Sequence, residues 1–271
     1  MPKNLRAINE RLAATLSDLC GTADTIVLPG EPIRDSERYD RIVPWGVEPH
    51  TLRWLAENGV RPQVIASLPD STAARAVNSR RWQWETEQAL GLIAGEVVLC
   101  ELLDDLAAVL DALAKYPRGW VLKAEHGGSG RGLRFGMGPF SEADAKWAHG
   151  VFQRGLCVTA EPRDDRAREY SAHLTIRDDS VTFDGVCFLH STPTGRFRSA
   201  EPLSRLSPAL LDAVPIWTAV GERARESGYR GPMGVDAAAA WGVVERPVRD
   251  VNARWTMGRI ALATGREVRN P

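Results

Sequence analysis

A lysine followed by a glycine-rich loop is the first feature of this sequence that could do chemistry. It lies in "WVLKAEHGGSGRGLRF", residues 120–135, and the lysine is Lys123. Lysine and arginine together number 34, yet only four of these residues are lysine, so a lysine here is unusual for this chain. The ammonium is a compact point charge, and glycine lets backbone N–H groups approach an anion closely. The stretch therefore predicts that Lys123 and the glycine loop bind phosphate.

Three well-known glycine motifs do not match this loop. A Rossmann fingerprint opens a helix, but the "LRFGMG" that follows is too short and too rich in glycine for one. A P-loop needs lysine where Leu133 stands, and a nucleophile elbow needs glycine two residues after Ser129, where Arg131 stands. The remaining interpretation is a strand, a glycine flap and a strand that close over a triphosphate. The alternative is a flexible hairpin tip with a solvated lysine.

A second set of polar residues lies near the C-terminus, in "RPVRDVNARWTMG". Strand alternation places Asp250, Asn252 and Arg254 on one face. If the preceding hairpin turns about Val243, Asp236 lies opposite Asp250. Two facing carboxylates destabilise a hairpin unless a cation lies between them, and Mg²⁺ is held by one or two carboxylates plus substrate phosphates. The pattern predicts a magnesium site, with an exposed face of ordinary charges as the alternative.

Four further basic residues could contact an anion. His190, Arg196 and Arg198 lie in "LHSTPTGRFRS", after the predicted central hairpin. We expect them to contact the γ-phosphate or a substrate carboxylate, and a polar surface loop is the alternative. Arg230, ahead of "GPMGVD", is another candidate for anion contact, with a surface role as its alternative.

From about residue 110 to 258 the chain resembles the ATP-grasp superfamily of ligases. The matching segments are "VLKAEHGGSGRG", "VTAEPRDDRAREYS" and "GVD…DVNAR", in the order of that superfamily. The resemblance implies that ATP and Mg²⁺ are the cofactors. It also implies a ligase that joins a small-molecule carboxylate to an amine through an acyl phosphate. The alternatives are a nucleotide-binding module without turnover, a subunit of a larger ligase, or a small-molecule kinase.

The resemblance also implies roles for individual residues. Lys123 corresponds to the lysine that touches phosphate and adenine, and residues 127–132 correspond to the flap. Glu161 corresponds to the hinge residue beside the adenine amino group, and Glu169 to the acid that holds the ribose hydroxyls. The nucleotide-binding residues expected on this basis are Lys123, His126, Gly127, Gly128, Ser129, Gly130, Glu161, Glu169 and Arg81.

The implied metal ligands are Asp236, Asp250 and Asn252. The expected catalytic residues are Arg254, which follows the ligands in the superfamily pattern, together with Arg198 and Arg230. The sequence departs from the pattern twice. Asp250 stands where glutamate is commoner, and an earlier lysine of the superfamily is replaced by Arg80 or Arg81.

The elements that must position these residues divide at about residue 100. Before it, strands alternate with helices, which predicts an N-terminal parallel α/β domain over 1–100. The expected helices are 4–19, 49–59 and 70–91, the last as one helix or two broken near Asn78. The expected strands are 25–30, 41–45, 63–68 and 96–101.

After residue 100 we expect a two-lobed ATP-grasp fold with the nucleotide between antiparallel sheets. The predicted lobes are 101–175, which carries the flap, and 176–271, which carries the metal site. Helices are expected at 102–116, 141–155 and 207–228, and a hairpin around 177–180.

The composition limits the partners. The net charge is -1 and the pI is about 6.5, so nucleic acid is not expected to bind. We also expect no membrane segment, because no run approaches the roughly 18 apolar residues of a membrane span. The N-terminus lacks the pattern of a signal peptide, and the four scattered cysteines fit a reducing compartment. We therefore expect a cytoplasmic protein whose oligomeric state the sequence leaves open.

Overall fold

The computed structural model describes residues 3–92, 97–128, 131–163, 168–192, 195–240 and 242–269. The helices are α1 (Lys3–Leu16), α2 (Pro49–Glu57), α3 (Pro62–Ala66), α4 (Ser71–Val77), α5 (Arg80–Ala89), α6 (Leu103–Leu113), α7 (Glu142–Phe152), α8 (Pro208–Glu226) and α9 (Met257–Thr264). The strands are β1 (Val98–Cys100), β2 (Trp120–Gly128), β3 (Arg131–Gly136), β4 (Val158–Pro162), β5 (Arg168–Ile176), β6 (Val181–Ser191), β7 (Phe197–Pro202), β8 (Gly231–Ala240), β9 (Val243–Asn252) and β10 (Val268–Arg269).

The N-terminal region is helical. Residues 3–92 form α1 to α5 and contain no strand, so the strands predicted at 25–30, 41–45 and 63–68 are wrong. The last of them lies mostly in α3, which begins at a proline in the first helical turn. Short apolar runs bury equally well in helices or loops, and here Ile42, Ile65 and Leu68 pack in the cluster of Leu55, Val60 and Val64. The predicted parallel α/β domain does not form.

The helices predicted for this region are confirmed. The helix predicted at 4–19 corresponds to α1, and the helix predicted at 49–59 corresponds to α2. Gly59 lies just after the end of α2 and has a φ of 75°. The third is two helices, α4 and α5. Asn78 caps the C-terminus of α4, and the Ser79 hydroxyl accepts from the N–H of Trp82 to start α5.

The smaller sheet is antiparallel, in the order β1–β4–β2–β3. The strand predicted at 96–101 is confirmed as β1, but it pairs with β4 and not with an N-terminal sheet. Trp120 and Leu122 point from β2 into a core formed with α6 and α7. Lys123 is the residue after Leu122, so alternation places its side chain on the opposite face. The helix predicted at 141–155 is confirmed as α7, with its capping box.

The larger sheet is also antiparallel, in the order β10–β7–β6–β5–β8–β9. Trp217 and Val220 of α8 pack with Leu174 and Val235 on one face. α9 packs on part of the other face, where Ile260 joins a cluster under β6 and β7. The remainder of that face is free to line a cleft. The predicted hairpin around 177–180 is confirmed as β5–β6.

The change from the smaller to the larger sheet falls between β4 and β5. The predicted lobe boundary at 175/176 is therefore one strand beyond the change of sheet, and the division into domains stays a prediction. None of the described helices combines the length and apolarity that a membrane crossing requires.

Candidate active site

A cleft of about 1210 Å³ is lined by both sheets. The smaller sheet contributes Lys123 and Gly127, and the larger sheet contributes Glu169, Asp236 and Asp250. These residues lie up to 127 positions apart in the sequence. The structure therefore brings together the two polar groups that the sequence indicated separately.

Lys123 is buried, with 7% of its surface exposed. Its Nζ lies 2.5 Å from Oε1 of Glu161 and donates to the carbonyl oxygen of Arg249 at 3.4 Å. Burial lowers the pKa of Lys123 to about 8, although Glu161 opposes the shift. With this pKa the side chain carries its charge at neutral pH and loses its proton at mildly alkaline pH.

Glu161 lies beneath Lys123 and outside the cleft lining that the described residues form. Burial alone would raise its pKa, but the charges of Lys123 and Arg246 outweigh burial and lower the pKa of Glu161 to about 2. Arg246 Nη1 lies 3.1 Å from Glu161 Oε2, and its Nη2 lies 3.6 Å from Glu87. Glu161 is thus a buried carboxylate paired with both Lys123 and Arg246, and its role as the hinge residue beside adenine stays a prediction.

Glu169 lines the cleft and forms an ion pair with Arg249, whose Nη1 lies 2.8 Å from Oε1. Sequence reasoning missed Arg249 and Arg246. Simple alternation places Arg249 on the face of Val251, which points into the core. In the structure both Val248 and Val251 are buried, and Arg249 lines the cleft together with Asp250.

An irregularity in the β8–β9 ladder causes this break in alternation. Asp236 pairs with Asp250, but Ala238 pairs with Arg246, so β9 uses two extra residues there. Pro247 lies in this segment, and proline has no N–H to donate to the ladder. The irregularity turns the arginines of β9 toward the smaller sheet.

The predicted pairing of Asp236 with Asp250 is confirmed, although the turn that led to it is misplaced. The hairpin turns between Ala240 and Val243 and not about Val243. The extra residues of β9 compensate for this difference.

The two aspartates are held by different neighbours. Asp236 Oδ1 accepts from the hydroxyl of Ser171 at 2.6 Å, and its Oδ2 accepts from Asn252 Nδ2 at 3.3 Å. Asp250 Oδ1 lies 2.8 Å from Nη1 of Arg80. Burial, and then the charge of Asp250, raise the pKa of Asp236. Burial and the neighbouring carboxylate thus both disfavour the charged form of Asp236.

These residues fit a magnesium ion that a nucleotide helps to hold. Two carboxylates and an amide oxygen supply hard oxygen ligands, and a cation would relieve the repulsion between Asp236 and Asp250. Within the described ranges, no group of three or more His, Cys, Asp or Glu residues could hold a metal alone. Substrate oxygens would have to complete the coordination, as is usual for Mg²⁺.

Arg254 lies next to this pair. Its Nη2 donates to Oδ1 of Asn252 at 2.7 Å, and its Nη1 donates to the Trp255 carbonyl at 3.2 Å. The Trp255 N–H in turn donates to the Trp45 carbonyl at 2.9 Å. Trp45 and Leu12 line the cleft, so the helical N-terminal region forms part of its wall. No local sequence pattern indicated either residue.

The glycine hairpin joins β2 to β3, and its backbone requires glycine at two positions. Gly132 has a φ of 77°, and a Cβ on Gly127 would lie 2.6 Å from the Arg131 carbonyl oxygen. Gly127 lines the cleft, and Gly128 pairs with Arg131. Two more of the predicted flap residues, Ser129 and Gly130, lie outside the described residues.

His126 precedes the hairpin and is half-buried, outside the described lining of the cleft. Burial, and then the charge of Arg75, lower the pKa of His126. Arg75 belongs to α4, so His126 lies near that helix.

Two predicted residues lie elsewhere. Arg230 Nε lies 2.7 Å from Asp178, and the six residues from Arg230 to Asp236 span about 20 Å of extended strand. Arg81 Nη2 lies 2.7 Å from Glu101. Successive residues of a helix point about 100° apart, so α5 directs Arg80 into the cleft and Arg81 away from it.

The cleft is strongly basic. His190, Arg196 and Arg198, all predicted to contact an anion, line it. Its basic side chains of lysine and arginine, within the described residues, are Arg80, Lys123, Arg131, Arg163, Arg168, Arg196, Arg198, Arg249, Arg254 and Arg269. Its acidic side chains are Glu169, Asp236, Asp250 and Glu267. Such a field favours anionic ligands.

Several solved structures resemble this chain. N5-carboxyaminoimidazole synthetase from Staphylococcus aureus, complexed with ADP, is 16% identical with a TM-score of 0.54, over 82% of this chain and 56% of that one. The biotin carboxylase domain of Hydrogenobacter thermophilus 2-oxoglutarate carboxylase, with MgADP, ADP and bicarbonate, is 15% identical with a TM-score of 0.56, over 79% and 50%. L-amino acid ligase from Bacillus licheniformis is 14% identical with a TM-score of 0.53, over 79% and 50%.

These neighbours share the ATP-grasp fold, and so does this chain, as the resemblance in sequence predicted. The chain spans about half the length of these proteins. No protein-family model matches the sequence, and no curated protein matches it significantly.

Proposed function

We propose that this protein is an ATP- and Mg²⁺-dependent ligase that activates a carboxylate as an acyl phosphate and joins it to an amine. The observation that carries the proposal is the facing pair Asp236 and Asp250, in a cleft that also contains Lys123 and a glycine hairpin. A facing acidic pair has little structural value without a cation, and a cation there needs phosphate oxygens. The ATP-grasp fold and the ADP-bound neighbours support the same nucleotide.

The residues would divide the work by charge. Lys123 binds a phosphate oxygen, and the backbone N–H groups of the hairpin cover the phosphates and exclude water, because water hydrolyses an acyl phosphate. Asp236, Asp250 and Asn252 hold Mg²⁺, which draws charge from the transferring phosphoryl group when it is bound. Arg254, beside Asn252, stabilises the negative charge that develops during transfer.

In the first reaction a carboxylate oxygen of the acid attacks the γ-phosphorus of ATP, and the bond from that phosphorus to ADP breaks. In the second the amine attacks the acyl carbon, loses a proton and releases inorganic phosphate. Neither reaction needs a nucleophile from the protein. Orientation and charge neutralisation supply the catalysis.

A second candidate is a nucleotide-binding module without turnover. Two ion pairs favour it, Arg249–Glu169 and Arg80–Asp250. In each of them an arginine already binds an acid that is predicted to bind the nucleotide or the metal. In a ligase, ATP and Mg²⁺ must share or displace these arginines. In a module the arginines would simply close the site.

The test measures ADP and phosphate release with Mg-ATP against a panel of carboxylic acids, each with and without a panel of amines. Phosphate release that needs both an acid and an amine supports the ligase. A phosphorylated acid that accumulates without amine identifies a kinase instead. ATP binding by calorimetry with no turnover over the whole panel identifies the module.

A further inference from the structure

The β6–β7 end of the cleft carries more positive charge than a nucleotide needs. Ten lysine and arginine side chains and four acidic ones line the cleft within the described residues. Mg²⁺ itself cancels two charges of a triphosphate, so Mg-ATP leaves much of this excess unbalanced. The remaining charge has to be matched by another ligand or left in water.

The excess is not distributed evenly. Three arginines are neutralised by three acids. Arg80 pairs with Asp250, Arg249 with Glu169 and Arg269 with Glu267. Arg196 and Arg198 form no ion pair with any carboxylate of the described residues, and both are exposed. They stand on one short segment of the β6–β7 hairpin, ready to contact a ligand.

This segment is distant from the metal pair. Two strands, β5 and β6, lie between β8 and β7, so Arg198 on β7 is about 14 Å across the sheet from Asp236 on β8. Other cleft arginines without an ion pair among the described residues are Arg131 beside the glycine hairpin, Arg163 after β4, Arg168 at the start of β5 and Arg254 beside Asn252. A triphosphate bound at Asp236 thus has its own arginines and does not account for Arg196 and Arg198.

We propose that the acid activated in this cleft carries a second anionic group, a carboxylate or a phosphate, which Arg196 and Arg198 bind. The carboxylate that reacts lies toward Arg254, and the second group lies toward the β6–β7 hairpin. Guanidinium groups bind both anions through paired hydrogen bonds, so they provide orientation as well as affinity. No bond to the second group forms or breaks. The inference rests on the proposed function, since it names the substrate class of the same site.

The test is calorimetric binding of matched acids to the protein saturated with Mg-ADP. Succinate and butyrate have equal chain length and differ in the second carboxylate, and 3-phosphoglycerate and glycerate differ in a phosphate. We expect the doubly anionic member of at least one pair to bind about tenfold or more tightly. The pair that discriminates identifies the second group.

The double variant Arg196→Gln/Arg198→Gln should lose this preference while its affinity for Mg-ADP stays unchanged. Arg177→Gln, an exposed arginine in the β5–β6 turn, is the matched control and should keep it. Equal binding within both pairs, or no binding of any of the acids, overturns the inference. A double variant that loses Mg-ADP affinity instead overturns it too, because the arginines would then serve the nucleotide. Failure of the unaltered protein to bind Mg-ADP would refute the proposed function itself.

Discussion

The Lys123 ammonium lies 2.5 Å from the Glu161 carboxylate, and both side chains are almost fully buried. Arg246, from the larger sheet, approaches the same carboxylate at 3.1 Å. Glu161 therefore ties the two sheets together as well as supporting the lysine. Its role in the structure is that of an anchor below the cleft.

Replacing this anchor should destabilise the protein. Glu161→Gln leaves the buried Lys123 without its carboxylate and leaves Arg246 with Glu87 alone, which costs about 3–5 kcal/mol of unfolding free energy. Urea denaturation measures the loss. Glu226→Gln, which removes an exposed pair with Arg223, is the control and should change much less. Equal effects of the two variants would contradict the anchoring role.

The same carboxylate should make stability depend on pH in acid. The pKa of Glu161 is lowered from 4.5 to about 2, so its contribution is present above pH 4.5 and is lost as the pH falls toward 2. Unfolding free energies measured across this interval should fall more steeply in the unaltered protein than in Glu161→Gln. Parallel curves would show that Glu161 is not the group responsible.

Nucleotide affinity should decrease at alkaline pH. Because burial lowers the pKa of Lys123 to about 8, the ammonium is present below that pH and is lost above it. ATP titrations on either side of pH 8 should therefore show weaker binding on the alkaline side. Lys123→Ala should bind ATP weakly at both pH values. An unchanged affinity in this variant would remove Lys123 from the phosphate site.

Magnesium should compete with a proton for the facing aspartates. The pKa of Asp236 is raised by burial and by Asp250, so Mg²⁺ has to displace that proton and should bind more tightly as the pH rises. Titration of Mg²⁺ in the presence of ADP measures the affinity and its pH dependence. A pH-independent affinity would place the metal elsewhere.

Asp250→Ala should reduce metal-dependent turnover by about a hundredfold or more, because it removes a ligand and the partner of Arg80. Asp250→Glu keeps the charge and should retain a substantial part of the activity. Asp212→Ala, an exposed position on α8, is the control for removal of a carboxylate. Full activity in Asp250→Ala would refute the proposed metal site.

The glycine hairpin should not tolerate a side chain at Gly127. Gly127→Ala places a Cβ 2.6 Å from the Arg131 carbonyl oxygen, so the hairpin has to shift. We expect weaker ATP binding and slower turnover with a small change in overall stability. Gly150→Ala, in α7 with no neighbour within 4 Å of the added Cβ, should be neutral or slightly stabilising. ATP binding equal in the two variants would show that the hairpin does not cover the nucleotide.

The sequence indicated the two strands beside the glycine loop, the hairpin around 177–180 and the C-terminal hairpin, but it did not indicate β7 or β10. The face of β2 that carries Lys123 followed from the period of two in a strand. The predicted pairing of Asp236 with Asp250 agrees with the structure only because the extra residues of β9 offset a misplaced turn. Ser141 and Ser207, which cap α7 and α8, are local signals of the same kind, because each accepts a hydrogen bond within the first turn of its own helix. The absence of strands from residues 3–92 did not follow, because the short apolar runs there also fit strands.

The amino-acid sequence by itself thus determined which residues could bind phosphate and metal, since residue type and spacing along one strand are local properties. Only the tertiary structure decided that Arg80 and not Arg81 enters the cleft, that β9 turns Arg249 toward Glu169, and that Trp45 forms a wall beside Arg254. These relationships join segments up to about two hundred residues apart, or depend on two extra residues in a strand. They arise from how the sheets and helices pack against one another, which no local period encodes.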